Sequence, residues 1–187
     1  MQERHITPED NAKLDKARVL VQEKQLEFAL KIFIELFNDG YELVASNIAW
    51  IYNQKPNVRK DLSIKYYTIA ADLGDEYANW GLGGLYSELG ETNDAIKNYK
   101  VAADRGNADC SYALSKIYKQ IDDDDLAEHY LEEASHQGNA FATRDLAVSY
   151  LVGKKAMRNV AKGFNLYISN FFTLLEQSKK YAREKRR

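Results

Sequence analysis

The side chains best suited to chemistry in this 187-residue chain are a histidine pair, a lone cysteine, a run of aspartates and a cluster of glycines. His129 and His136 stand seven residues apart, with Glu128, Glu132 and Glu133 around them. A bound metal needs three or four convergent ligands. On a helix, seven residues separate the two imidazoles by about 10 Å along the axis, too far for one ion. Asp122 to Asp125 lack the glycine and spaced oxygens of a calcium loop. They read instead as a helix start, where carboxylates cap free N–H groups and favour the dipole; a rim contact to a basic partner is the alternative. Cys110 has no histidine placed to activate it and reads as a small buried hydrophobe. Gly81, Gly83 and Gly84 would need a strand-to-helix turn to cradle phosphate, and their surroundings read as helix. No triad or paired carboxylates emerge at a workable spacing. The expectation is no catalytic residue, no metal, no cofactor and no enzymatic activity.

The elements that hold these residues follow from a repeat. Ala70-Ala71-Asp72-Leu73-Gly74 returns as Ala102-Ala103-Asp104-Arg105-Gly106 and as Ala134-Ser135-His136-Gln137-Gly138, each time 32 residues on. Gly40 precedes the series. Tyr52, Tyr86, Tyr118 and Tyr150 keep a similar rhythm, and Asp61, Asn93 and Asp125 each stand 13 residues before a glycine. Those three polar residues are expected as N-caps. Ile64, Tyr67, Ala70 and Ala71 then fall on one helical stripe, and the glycine suits the left-handed position that ends a helix. A second stripe follows: Ala78, Leu82, Leu85 and Tyr86, then Cys110, Leu114, Ile117 and Tyr118, then Ala142, Leu146 and Tyr150.

The chain therefore reads as helical hairpins. One set of helices, here called A, is expected near 41–53, 75–88, 107–119 and 139–152. The other, B, is expected near 61–73, 93–105, 125–137 and 159–180. An atypical pair precedes them near 8–22 and 25–38. The reading is a single domain over 1–187: an N-terminal hairpin at 8–38, repeats at 41–74, 75–106 and 107–138, a terminal repeat with a long capping helix at 139–180, and a basic tail at 181–187. Only two prolines, Pro8 and Pro56, interrupt the chain, which favours long helices. No hairpin buries its apolar face alone, so the hairpins must stack into an all-α solenoid.

These residues resemble the Sel1-like repeats, a branch of the tetratricopeptide superfamily. The matching residues are Ala78, Leu82-Gly83 and Tyr86 in helix A, then Ala95, Tyr99, Ala102-Ala103 and Gly106 in helix B. The usual glycine after leucine is Ala49, Ser115 or Ala147 in the other units. The resemblance covers roughly residues 40–175. It implies a right-handed α-solenoid of about five stacked hairpins, and an adaptor that presents a concave groove, lined by the A helices, to a protein or peptide.

In that frame the groove positions are Leu43, Ser46, Trp50, Tyr77, Trp80, Tyr112, Lys116, Phe141, Arg144 and Val148. Stacking would set Trp50 near Trp80 and Lys116 near Arg144. The result would be an aromatic groove with a basic edge, the residue types that dominate interface energetics. The competing reading buries both tryptophans between hairpins.

Lys plus Arg total 26 and Asp plus Glu 28, for a net charge of −2. That balance argues against a domain-wide polyanion surface, so nucleic acid is the weaker alternative, resting on groove aromatics and the tail. No apolar run approaches the length of a membrane span. The first residues show no apolar leader, and the single cysteine suits a reducing, cytoplasmic setting. Near the end, Phe164, Tyr167, Ile168, Phe171, Leu174 and Leu175 form an apolar face. Lys179, Lys180, Arg183, Lys185, Arg186 and Arg187 follow it. That segment could cap the solenoid, tether the chain to nucleic acid or an anionic membrane surface, or pair across a two-fold as a homodimer contact.

Overall fold

A computed structural model describes residues 7–54 and 58–152, with positions 165, 168, 169, 171, 172, 175 and 176. Among the described residues there are nine α-helices, one short 3-10 helix and no strand. They are α1 (Pro8–Gln22), α2 (Leu26–Asn38), the 3-10 helix Glu42–Val44, α3 (Ala45–Tyr52), α4 (Lys60–Asp72), α5 (Ala78–Leu89), α6 (Thr92–Asp104), α7 (Ala108–Gln120), α8 (Asp124–His136) and α9 (Ala140–Val152). The hairpin pattern read from the 32-residue repeat therefore holds. The isolated positions described beyond 160 are helical. The remainder of the helix expected at 159–180, and the basic tail at 181–187, lie outside the described residues.

The chain divides into two compact units, Met1–Asn98 and Tyr99–Arg187. In the first, Leu14 and Ala17 of α1 meet Ala29, Phe33 and Leu36 of α2, and Val44, Ile48 and Ile51 close the cluster. A second cluster joins Ala45 and Ala49 of α3 to Tyr67 and Ala70 of α4 and to Ala78, Leu82 and Leu85 of α5. Alanines on α3, α4 and α5 let the helix axes approach closely. In the second unit α8 packs against both α7 and α9. Cys110, Leu114, Ala134 and Ala142 are fully buried there. Burial pushes the Cys110 thiol up to about 12, with Asp109 adding to it, as suits a packed rather than reactive cysteine.

The repeated glycines end their helices in the left-handed region, with φ of +83° at Gly74, +89° at Gly106 and +93° at Gly138. The caps differ from expectation. Asp61 and Asp125 are not N-caps: the cap positions are Arg59, which makes no side-chain cap bond, and Asp123, whose carboxylate accepts from the Leu126 N–H at 3.1 Å. Asn93 likewise lies inside α6. All three stand at the second helical residue, where polar side chains are also favoured near the dipole.

The recurring cap is instead the residue after Gly74, Gly106 and Gly138, ahead of α5, α7 and α9; Tyr41, after Gly40, makes no side-chain cap bond. Asp75 Oδ1 accepts from the Tyr77 and Ala78 N–H groups at 2.7 and 3.1 Å. Asn107 Oδ1 accepts from Asp109 and Cys110, both at 3.1 Å. Asn139 Oδ1 accepts from Ala142 at 2.8 Å.

Candidate functional site

The expected groove residues fall into two sets, one on each unit. In the first unit, Ser46 and Trp50 of α3 help line a cavity of about 260 Å³ with Val21, Phe33, Asn47 and Tyr67. Trp50 is 38% exposed, Trp80 45% and Tyr77 67%. Both tryptophans therefore present surface rather than filling core. Leu43 is exposed as well.

The Ser46 hydroxyl donates to Asp75 Oδ2 at 2.7 Å, which leaves its oxygen to act toward a ligand as an acceptor only. Asp75 thus ties α3 to the start of α5 while capping the latter. Burial raises the Tyr67 hydroxyl to about 12, and the Asp75 charge adds to that rise. Gly81 of α5 sits against the tip of the Tyr67 ring. A Cβ there would lie 2.5 Å from Cζ. The glycine cluster of α5 is thus a packing feature at this position.

In the second unit, three of the expected residues converge on one that sequence reasoning missed, and a fourth, Phe141, packs against two of them. Asp145 of α9 accepts from Lys116 Nζ at 2.7 Å and from the Tyr112 hydroxyl at 2.8 Å through Oδ2. Its Oδ1 accepts from Arg144 Nε and Nη2 at 3.0 and 2.8 Å. The Lys116 ammonium lies 4.9 Å from the centre of the Tyr112 ring, and the Arg144 guanidinium 5.6 Å from that of Phe141. The two rings stack at 6.3 Å with an interplanar angle of 22°. The basic edge is therefore a held pair of cations sharing one carboxylate, each laid on an aromatic face. Val148, further along α9, is exposed. Asn139 braces the α7–α9 pair from the other end, donating to Asp109 Oδ1 at 2.7 Å.

Partial burial is the largest single influence on the Asp145 carboxyl and pushes it up. The bonds from Lys116, Arg144 and Tyr112 together outweigh it and hold the group below the ordinary 3.8. The same bond to Asp145 raises Lys116. A carboxylate held low in the folded state stabilises above its unfolded value and loses that contribution as pH falls through its folded one. The stability difference between wild type and Asp145→Asn should therefore be constant at neutral and mildly acidic pH and shrink progressively as pH falls below the ordinary 3.8. Urea melts across that window check this; a difference that grows on acidification would contradict the geometry.

The chemistry-bearing residues singled out first have structural surroundings. The His129 ring meets Tyr130 edge-on at 5.1 Å. Asp123 caps α8, and Lys119 pairs with Asp124. Among the described residues no group of three or more His, Cys, Asp or Glu is placed to hold a metal ion. No helix among them is long and apolar enough to cross a membrane.

Two signals in the sequence could have found the missed polar residues. The Gly-Asp or Gly-Asn pair at 74–75, 106–107 and 138–139 repeats every 32 residues and marks the caps. Asp145 follows Arg144 directly, but its link to Tyr112 spans 33 residues and needs the α7–α9 geometry.

The architecture is an α-solenoid of helical hairpins. More specifically, it is the Sel1-like repeat fold. A protective antigen of uropathogenic Escherichia coli strains displaying that fold superposes with a TM-score of 0.73 at 21% identity, over 95% of this chain and 42% of that one. The chain thus spans less than half of the antigen's length. A Sel1 repeat protein from Oxalobacter formigenes gives 0.72 at 20% identity, over 90% of this chain and 76% of that one. MamA gives 0.62 at 16% identity, over 89% and 96%. No family profile matches the chain, and no curated protein sequence matches it.

Proposed function

We propose that this protein is a non-catalytic interaction module, an adaptor that binds a protein or peptide partner on the outward faces of its A helices. The observation that carries this reading is the exposure of Trp50, Tyr77 and Trp80 on α3 and α5 and the turn before α5. Large aromatic side chains left in water on a repeat scaffold mark a contact surface, and aromatics and arginine supply most interface hot spots. The preorganised Lys116–Tyr112–Phe141–Arg144 cluster supports the same reading for the second unit. The buried, unreactive Cys110 fits a reducing compartment, and cytoplasmic action is part of the proposal.

The test is affinity capture from native lysate with the wild type and a Trp50→Ala/Trp80→Ala variant of unchanged helicity by circular dichroism. A hot-spot pair should cost about 2 kcal/mol or more per residue, enough to lose the partner from the eluate. A partner retained by both forms places the contact elsewhere. Nucleic acid alone in the eluate would favour a polyanion-binding function instead.

A further inference from the structure

The cavity on the first unit selects a narrower class of ligand. We propose that it receives one apolar side chain, aliphatic or aromatic, from a partner segment whose flanking residues are Lys or Arg. This deepens the interaction reading above and rests on it.

The cavity comes first. Its volume of about 260 Å³ lies below the about 300–1,000 Å³ typical of pockets for drug-sized molecules, so it suits a single side chain. Val21, Phe33, Trp50 and Tyr67 supply an apolar lining from four helices. Trp50 is 38% exposed, and the exposed Asn47 amide offers both a donor and an acceptor to a peptide backbone. An apolar pocket with one amide at its wall can take an apolar side chain and hydrogen-bond one polar group of the segment that carries it.

Charge then chooses the flanks. The two A segments of this unit, 41–53 and 75–89, carry Glu42, Asp75, Glu76 and Glu88 and neither Lys nor Arg. Ser46 connects the cavity wall to Asp75 by its 2.7 Å hydrogen bond, and the Asp75 charge is felt at Tyr67 on another wall. With three acceptor positions used by Ser46, Tyr77 and Ala78, Asp75 keeps capacity for a further donor. Tyr77 and Trp80, both exposed on the same segment, offer ring faces to cations. Glu88 is paired with Lys60 Nζ at 2.9 Å, so Glu42, Asp75 and Glu76 carry the preference: an acidic flank would meet like charge there, and a basic flank opposite charge and aromatic faces.

The test uses the full chain and three capped synthetic hexapeptides, KKFRKG, EEFEEG and KKARKG, in one-letter code, followed by tryptophan fluorescence and calorimetry. KKFRKG should bind about tenfold more tightly than EEFEEG, and its affinity should fall as salt rises from about 50 to 300 mM. Loss of the anchor in KKARKG should weaken binding about tenfold, the value of one buried side chain. Trp50→Ala should weaken KKFRKG by a similar factor. Because that variant touches the cavity wall, a surface variant, Glu42→Lys/Glu76→Lys, provides a second reading: it should reverse the preference toward EEFEEG.

Equal or tighter binding of EEFEEG by the wild type overturns the proposal. So does indifference to the anchor, or no binding of KKFRKG at about 1 mM, where a specific contact would register. These failures are distinct from failure of the interaction reading. A partner captured through Trp50 and Trp80 that binds by an acidic segment removes only the present inference.

Discussion

Phe33→Ala should lower unfolding free energy by about 3–5 kcal/mol, the usual cost of truncating a buried phenylalanine. Phe33 is fully buried, at the centre of the cluster that joins α1, α2 and α3. It also forms part of the cavity lining, so truncation enlarges a void that already exists beside it. The surrounding helices relax only partly onto such a gap. Against a typical total of about 5–15 kcal/mol, that loss is a large fraction of the whole. Urea denaturation followed by circular dichroism measures it. Phe33→Leu retains most of the volume and should cost less than about 1.5 kcal/mol. A loss below about 1 kcal/mol for the alanine variant would mean that the α1–α2 hairpin contributes little to the unit.

Gly81→Ala should be destabilising even though alanine favours a helix by about 1 kcal/mol over glycine. The added methyl would stand 2.5 to 2.8 Å from three atoms of the Tyr67 ring. Tyr67 is only 6% exposed and packed between α3 and α5, so its ring can yield only toward the cavity it lines and by giving up those contacts. Overpacking of this kind costs about 1–3 kcal/mol and exceeds the propensity gain. The melting temperature should fall by roughly 2–4 °C for each net kcal/mol lost in a chain of this length. Tyr67→Leu shortens the ring side chain. In the double variant the two losses should be less than additive, with a coupling of about 1 kcal/mol or more. Simple additivity would show that α4 and α5 can separate slightly at no cost.

The hairpin pattern was legible because period and punctuation agree. Apolar residues at helical spacing, closed by glycine every 32 positions, leave little freedom in where helices stop. Glycines 74, 106 and 138 all take the left-handed conformation that their position required. Helix starts were less legible. Asp, Asn and Thr are favoured both at the cap and in the first turn, so the aligned residues Asp61, Asn93 and Asp125 marked equivalent positions without marking the boundary. The true caps of α7 and α8 are Asn107 and Asp123. Of the site, the exposure of Trp50 and Trp80 follows from their offset from the apolar stripe. The partners of the polar groups do not follow from one helix alone. Ser46 meets Asp75 across 29 residues, and Tyr112 meets Asp145 across 33. Such pairs depend on how successive A helices face each other, which periodicity does not specify.

The glycine-then-cap pair, repeated at a constant interval, bears on how such a chain can change length. A duplication or deletion of one full period rejoins the chain at an equivalent point of the hairpin, wherever the crossover falls. The helix ending, the left-handed turn and the next cap are all restored at the junction. Unequal recombination within the gene can therefore add or remove a whole unit while keeping each helix in phase with its own cap. An insertion of a few residues within a helix would instead put a helical residue where the turn demands glycine, whereas one in a surface loop would not. The array is tolerant of copy number and intolerant of frame within its helices, a property set by three short dipeptides rather than by the bulk of the core.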